Sequence, residues 1–326
     1  TLEAVFATLS CTDCLESVWG WSVPVSRMDF IVDPAEGLWD QPGWKRYFSP
    51  TSVGPAGESQ AFLTDLLTLR ANTGYLVKLR DDLVGDAMLV VAGKPVVPSH
   101  RWVKDSYNLA GFPLAPGGAP TVQAFFAASP LTEVYRLGKG GEWEAMAATD
   151  TLRFGEAYLV YFDAQANAPE NFTAPVSIAG MLGDELAFAS GLGRRSATFQ
   201  VENLAAQPVT VTISLVDGAN AGVALRLTDP FTRELRTQSA QFDLAVGGAM
   251  RLGFAVLSTE QMQDGEALLA IAAPALGVRW LAPVSAKSLS LAGLWVGEVV
   301  VNDVSESRLG ATNVDAGALT VALRQR

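Results

Sequence analysis

Charged residues are scarce in this 326-residue chain, at 17% of positions against 49% hydrophobic ones, and lysine is especially thin. An average soluble domain carries roughly 25% charge. The chain therefore buries real cores, and its surface is built largely from neutral Thr, Ser, Asn, Gln, Gly and Ala. The net charge is −11 and both halves are acidic. With no basic stripe to neutralise phosphates, nucleic acid is excluded as a partner and an anionic membrane surface is disfavoured. Apolar runs such as 267–273 fall well short of the roughly 18 residues that a spanning helix needs, so no membrane insertion is expected.

Two cysteines and one histidine leave little room for metal or redox chemistry. Cys11 and Cys14 form Cys-Thr-Asp-Cys, a spacing shared by redox dithiols, zinc half-sites, haem attachment and small disulfides. Leu15 stands where haem attachment needs histidine. Zinc needs two further ligands, and His100 is the one histidine. A redox dithiol sits where a strand feeds a helix, whereas residues 15–21 read as extended. A local disulfide is favoured over these alternatives. Two cysteines three apart in a turn reach the Cα separation of roughly 4.4–6.8 Å that the bond requires. Closing so short a loop stabilises by about 2 kcal/mol. No cofactor or metal is expected.

Catalytic patterns are equally thin. His100 falls in a connection between two segments, where a lone histidine is more often a surface hydrogen-bonder than a base. Asp81 and Asp82 are adjacent and point apart on a strand, which disfavours paired carboxylate chemistry. Gly191-Leu192-Gly193 precedes no helix that would complete a phosphate cradle. The polar turn at Asp217–Asn220 lacks the spaced loop of a calcium site. The expectation is a protein that is not an enzyme.

What is present is repetition. Leu69-Arg70-x4-Tyr75-Leu76-Val77 returns as Leu152-Arg153-x4-Tyr158-Leu159-Val160, an offset of 83 residues. Matching residue types at one spacing point to a duplicated structural unit. Around the first copy, the pattern predicts a short helix within Ser59–Leu69, a turn at 72–74, a strand at Tyr75–Leu79 and a second strand at Met88–Val91. Around the second it predicts a helix starting at Thr121, a hairpin of Val134–Leu137 with Trp143–Met146, and a closing strand ending at Phe162. The order W-x4-YNLAGFPLAP (102–116), TVQAFFAASP, VYRLGKGGEWEAM and LRFGEAYLVYF resembles a module repeated in secreted and cell-surface proteins of bacteria. Those modules carry an N-L-x-G-F-P opening, a Tyr/Trp hairpin and a G-x-x-Y-x-V closing strand. The resemblance is close over 102–163 and looser over 15–92, where Trp21-Ser22-Val23-Pro24 stands for the opening. It implies an extracellular β-rich module and no particular activity.

Composition shifts after a linker at 164–171. Ala197–Asn203 and Val209–Leu215 alternate with period 2, as half-buried antiparallel strands do. Further strands are expected at 224–227, 240–244, 250–256, 267–272 and 278–284, the count and spacing of an Ig-like sandwich. The strings FQVENLAAQPVTVTISL and MRLGFAVLSTEQMQDGEALLAIAA resemble the early and late strand pairs of bacterial Ig-like domains, although the immunoglobulin Cys…Trp…Cys pattern is absent. Two more strands follow, at 293–301 and 318–323, too few for a domain of their own.

The chain thus reads as mainly β. Two small β-rich modules (1–92 and 93–168) are followed by an Ig-like sandwich (169–287) and a C-terminal strand pair (288–326). It opens on Thr1, and with its β-rich pattern it is expected to be an exported, processed form of a longer precursor. Two functional classes fit. The first is an extracellular structural or adhesive protein that self-associates or joins other surface proteins, through strand edges or a tail carrying Leu294, Trp295, Val296, Val299, Val301, Leu319 and Val321. The second is a polysaccharide binder that stacks sugars on exposed tryptophans, with Trp39 and Trp44 as candidates.

Overall fold

The computed structural model describes residues 2–11, 13–21, 25–26, 44–54, 57–70, 73–83, 85–91, 93, 95–138, 141–166, 168–180, 186–189, 196–216, 224–228, 235–236, 239–257, 265–287, 293–297 and 319–323. The fold is mainly β, as the alternation predicts. Its first part holds helix α1 (Leu2–Phe6) and strands β1 (Leu15–Trp21), β2 (Val25–Ser26), β3 (Trp44–Phe48) and β4 (Tyr75–Leu79). Next come β5 (Ser106–Gly111), helix α2 (Val122–Phe126), β6 (Leu131–Leu137), β7 (Trp143–Ala145) and β8 (Ala157–Phe162). The sheets run β3-β1-β4 and β2-β5-β8-β6-β7.

The two sheets share a register that the first echo only hinted at. Against β4, the strand β1 places Trp19 opposite Leu76, Val18 opposite Val77 and Ser17 opposite Lys78, then bulges before Leu15 meets Leu79. Against β8, the strand β6 places Tyr135 opposite Leu159, Val134 opposite Val160 and Glu133 opposite Tyr161, then bulges before Leu131 meets Phe162. The bond beyond the bulge also repeats: the Arg80 N–H donates to the Cys14 carbonyl and the Asp163 N–H to the Pro130 carbonyl, both at 2.8 Å. On the far side, Trp21 pairs with Trp44 as Leu137 pairs with Trp143. So β1, β3 and β4 correspond to β6, β7 and β8, and α1 corresponds to α2. The alignment of Trp21–Pro24 with the opening of the second module is overturned, because β1 matches the hairpin strand β6 and not the opening strand β5.

Two local expectations also change. Within Ser59–Leu69 only a single 3-10 turn forms, at Ala61–Leu63. Phe62 and Leu67 stay 78% and 71% exposed, so the apolar residues make no buried stripe that would sustain a helix. Met88–Val91 is extended but joins no ladder; Met88 instead exchanges hydrogen bonds with Ser10, and the Val90 carbonyl accepts from the Thr8 hydroxyl.

The third part is a two-sheet sandwich. It comprises β9 (Val176–Ala179), β10 (Leu186–Ala189), β11 (Ser196–Asn203), β12 (Val209–Val216), β13 (Ala224–Thr228), β14 (Leu235–Arg236), β15 (Ser239–Leu244), β16 (Ala249–Leu257), β17 (Gly265–Ala273) and β18 (Val278–Lys287). One sheet runs β10-β18-β17-β12-β15 and the other β14-β13-β16-β11-β9. All neighbours are antiparallel except β10, which runs parallel to β18. Inward residues of both sheets, among them Val211, Ile213, Ile271, Phe199, Val201 and Leu252, form one core, as sheets packed face to face require. Asn203 is fully buried, and its amide nitrogen donates to the Gln207 and Ala245 carbonyls at 2.9 and 3.0 Å. Its side-chain oxygen accepts the Ala205 N–H, which satisfies a group that is costly to bury unpaired. A last antiparallel pair, β19 (Gly293–Gly297) and β20 (Leu319–Leu323), closes the described chain.

The parts are joined through their interiors. The core of the sandwich continues through Phe172 into Phe125 and Phe126 of α2 and Tyr158 and Val160 of β8. The loop after β5 docks on the β17–β18 corner by backbone bonds, Ala115 N–H to the Gly277 carbonyl (2.7 Å) and Arg279 N–H to the Pro113 carbonyl (2.9 Å). Gly277 adopts φ 61°, and a Cβ on Gly118 would lie 2.6 Å from its carbonyl oxygen, so two backbones meet where neither tolerates a side chain. The first two sheets pack through Trp44 and Leu76 against Tyr107 and Leu159.

Candidate assembly surface

The repeated Leu-Arg-x4-Tyr string has a physical basis. In each copy the tyrosine starting the closing strand turns its hydroxyl back to accept the arginine N–H five residues earlier, Tyr75 from Arg70 at 2.7 Å and Tyr158 from Arg153 at 2.6 Å. The bond pins the turn before the strand and sets where pairing begins. Tyr158 also donates to Glu156 at 2.9 Å. Burial, reinforced by that carboxylate, holds its phenol well above the ordinary range.

The copies differ in how their closing strands are covered. In the second sheet β8 lies between β6 and β5, and β5 is itself flanked by β2. Buried Tyr107 of β5 donates to Glu133 of β6 at 2.5 Å, and burial with this bond drives the Tyr107 phenol far above its usual value. In the first sheet, β3 has its outer edge sealed by the following loop: the Asp65 and Leu66 N–H groups donate to the Arg46 carbonyl, and the Phe48 N–H to Thr64 Oγ1. Strand β4, by contrast, has β1 as its one neighbour among the described residues. Its Val77 is 47% exposed, where the equivalent Val160, covered by β5 and the sandwich, is 0% exposed. Lys78 is the residue type that natural edges use to repel other strands, but here it is tied to Glu16 of β1 at 2.7 Å. A cleft of about 410 Å³ opens at the start of β4, lined by Thr73, Gly74, Tyr75, Pro98, Gly111 and Phe154 among others.

The residues singled out from sequence fall in several places. Cys11 and Cys14 are bonded, with Cα atoms 5.7 Å apart, in the turn between α1 and β1. Trp44 is only 4% exposed and stands edge-on to Trp21 with ring centroids 4.8 Å apart. This corrects its assignment as a glycan platform, since its faces are occupied by protein; Trp39 lies outside the described residues. His100 packs against Trp102 and Phe112, at 4.6 and 5.8 Å between ring centroids. Leu294, Trp295 and Val296 fall on β19 and Leu319 and Val321 on β20, with Trp295 opposite Val321; Val299 and Val301 lie outside the described residues. The structure does not bring this pair onto another described strand. Sequence reasoning missed the β4 edge, which no residue of β4 itself marks.

No protein-family model and no curated protein sequence matches the chain. Among solved structures, the CupB2 chaperone of Pseudomonas aeruginosa aligns at 18% identity over 32% of this chain and 53% of that one, with a TM-score of 0.25. A family 123 glycoside hydrolase from Clostridium perfringens aligns at 9% identity over 36% and 28%, with a TM-score of 0.26. The CupB6 tip adhesin of Pseudomonas aeruginosa aligns at 8% identity over 56% and 82%, with a TM-score of 0.21. This chain thus spans about half the length of the chaperone. Similarity at this level carries no argument about fold or function, and the class of the protein rests on its own geometry: mainly antiparallel sheets whose cores run together.

Proposed function

We propose that the chain is a non-enzymatic structural or adhesive component of the cell surface, joining neighbouring polypeptides through strand edges. The observation that carries this reading is the edge of β4, which has β1 as its one neighbour among the described residues where its counterpart β8 is flanked by β6 and β5. An unpaired row of backbone groups is a ready template for another strand. Two further features support it. The Cys11–Cys14 bond suits an oxidising compartment outside the cytosol. The continuous core from the second sheet into the sandwich suits a part that transmits force rather than one that opens and closes.

The test is labelling of intact source cells with a membrane-impermeant amine reagent, combined with thiol counting on the recovered protein. Surface labelling with both cysteines oxidised is the expected result. Protein shielded from the reagent until lysis, carrying two reactive thiols, would overturn the reading.

A further inference from the structure

We propose that a cavity at the seam between the second sheet and the sandwich binds one neutral sugar residue. The proposal goes beyond the assembly reading and does not depend on it, since it uses no strand edge. The cavity measures about 160 Å³. A volume of roughly 150 Å³ takes one six-membered ring, so a single sugar ring fits.

The walls come from segments far apart in the chain. Residues 97–100 ahead of β5, 171–173 ahead of β9, the middle of β9 and Trp280 of β18 meet there. Phe172 is fully buried in the core, and its two neighbours, Asn171 and Thr173, line the cavity. The Phe172 carbonyl accepts the Trp102 indole N–H at 2.8 Å, and Trp102 packs on His100, which lines the cavity too. Walls tied to the core in this way are in place before a ligand arrives, which lowers the cost of binding.

The polar groups point to a guest. Thr173 and Ser177 are buried, at 9% and 8% exposure, yet neither hydroxyl hydrogen-bonds to another described residue. The Asn171 amide is likewise unengaged among the described residues. Buried polar side chains normally have partners. Three unengaged groups around one cavity offer a guest both donors and acceptors.

Its class follows from the composition of the walls. Among the described residues lining the cavity there is no carboxylate, ammonium or guanidinium, so a metal ion or a cation would lose its water with no opposite charge to meet it. An anion would have to rely on His100 alone. Hydroxyls and an amide match the hydroxyls of a sugar, and the apolar remainder, including Ile178 and Trp280, suits the C–H face of its ring.

The experiment titrates the full chain, labelled with 15N, with methyl glycosides of the common hexoses and pentoses one at a time, and separately with inorganic phosphate. Expected are saturable amide shifts at Ser99, Thr173 and Ser177 with at least one glycoside, at a Kd on the order of 1 mM for so small a ligand, and none with phosphate. Asn171→Ala, Thr173→Val and Ser177→Ala should each weaken binding by about 3- to 10-fold. The two hydroxyl variants should also leave the urea midpoint unchanged or raised, because no described residue engages the groups they remove.

No saturable shift with any glycoside up to ~50-fold above that Kd, phosphate moving the same amides, or binding that all three variants leave intact would each overturn the proposal. A lower midpoint for Thr173→Val or Ser177→Ala would also overturn it, by assigning that hydroxyl to the fold. Asn171→Ala, at an exposed residue, reads binding with the fold untouched. None of these results bears on surface labelling, so the assembly reading stands or falls separately.

Discussion

The first and second sheets are the same design in two states of completion. Each has an antiparallel strand pair beside a closing strand, and each pins that strand with a tyrosine hydroxyl. The second adds β5 and β2 beside its closing strand and a sandwich against its other face; the first has a disulfide, and each has one short helix. The difference teaches that the hydrogen-bonding register survives when the burial around it does not. Val160 and Val77 occupy equivalent ladder positions at 0% and 47% exposure.

The sharpest way to break the comparison is to place a charge at both positions. Val160→Asp buries an unpaired carboxylate and should cost about 3–5 kcal/mol or abolish folding, whereas Val77→Asp should stay within about 1 kcal/mol, as read from urea midpoints; equal costs would show that β4 is covered. Removing the disulfide with Cys11→Ser and Cys14→Ser should cost about 2 kcal/mol by the chain-entropy estimate. The loss should be confined to the first sheet, visible as faster hydrogen exchange at β1 and β4 with β6 and β8 unmoved.

The tyrosine clamps provide a finer contrast. Tyr158→Phe removes both the acceptor of the part-buried Arg153 N–H bond and the donor to Glu156, and should cost about 1–2 kcal/mol. Tyr75→Phe, with its half-exposed turn open to water, should cost less than about 1 kcal/mol in the same assay. The smallest effect is a slope. Burial raises the Tyr107 phenol above its ordinary value of 10.0, so the folded state holds the proton more tightly than the unfolded one. Its contribution is fully present below about pH 10 and declines as the pH rises further. Tyr107→Phe should flatten the fall of stability above pH 10 in denaturant titrations; an unchanged slope would mean that Tyr107 does not set it.

Much of this was legible in the residues. Strands β11 and β12 follow from period-2 alternation, because each packs one face on the core, and β15 to β18 from the count and spacing of further short strands. The relation between the first two sheets was only partly legible. The closing strands repeat at 83 residues, but Thr1-x2-Ala4-x-Phe6-Ala7 and Thr121-x2-Ala124-x-Phe126-Ala127 repeat at 120. Insertions between the elements give each its own offset, so no single spacing reveals the unit, and the ladder register was needed to align it. Apolar content misled at Ser59–Leu69, where Phe62 and Leu67 face solvent and only Leu66 is buried. The open edge itself has no sequence mark, since it depends on what stands beside β4 and not on β4.

The meeting of Gly118 with Gly277 also bears on how such a chain changes over generations. Two backbones in contact, each needing its glycine, tie two residues 159 positions apart to one another's substitutions. The second sheet is therefore not a cassette that recombination can move by itself. Shuffled without its sandwich it would arrive with a seam cut through Phe125, Phe126 and Phe172, so these two parts are inherited as a pair.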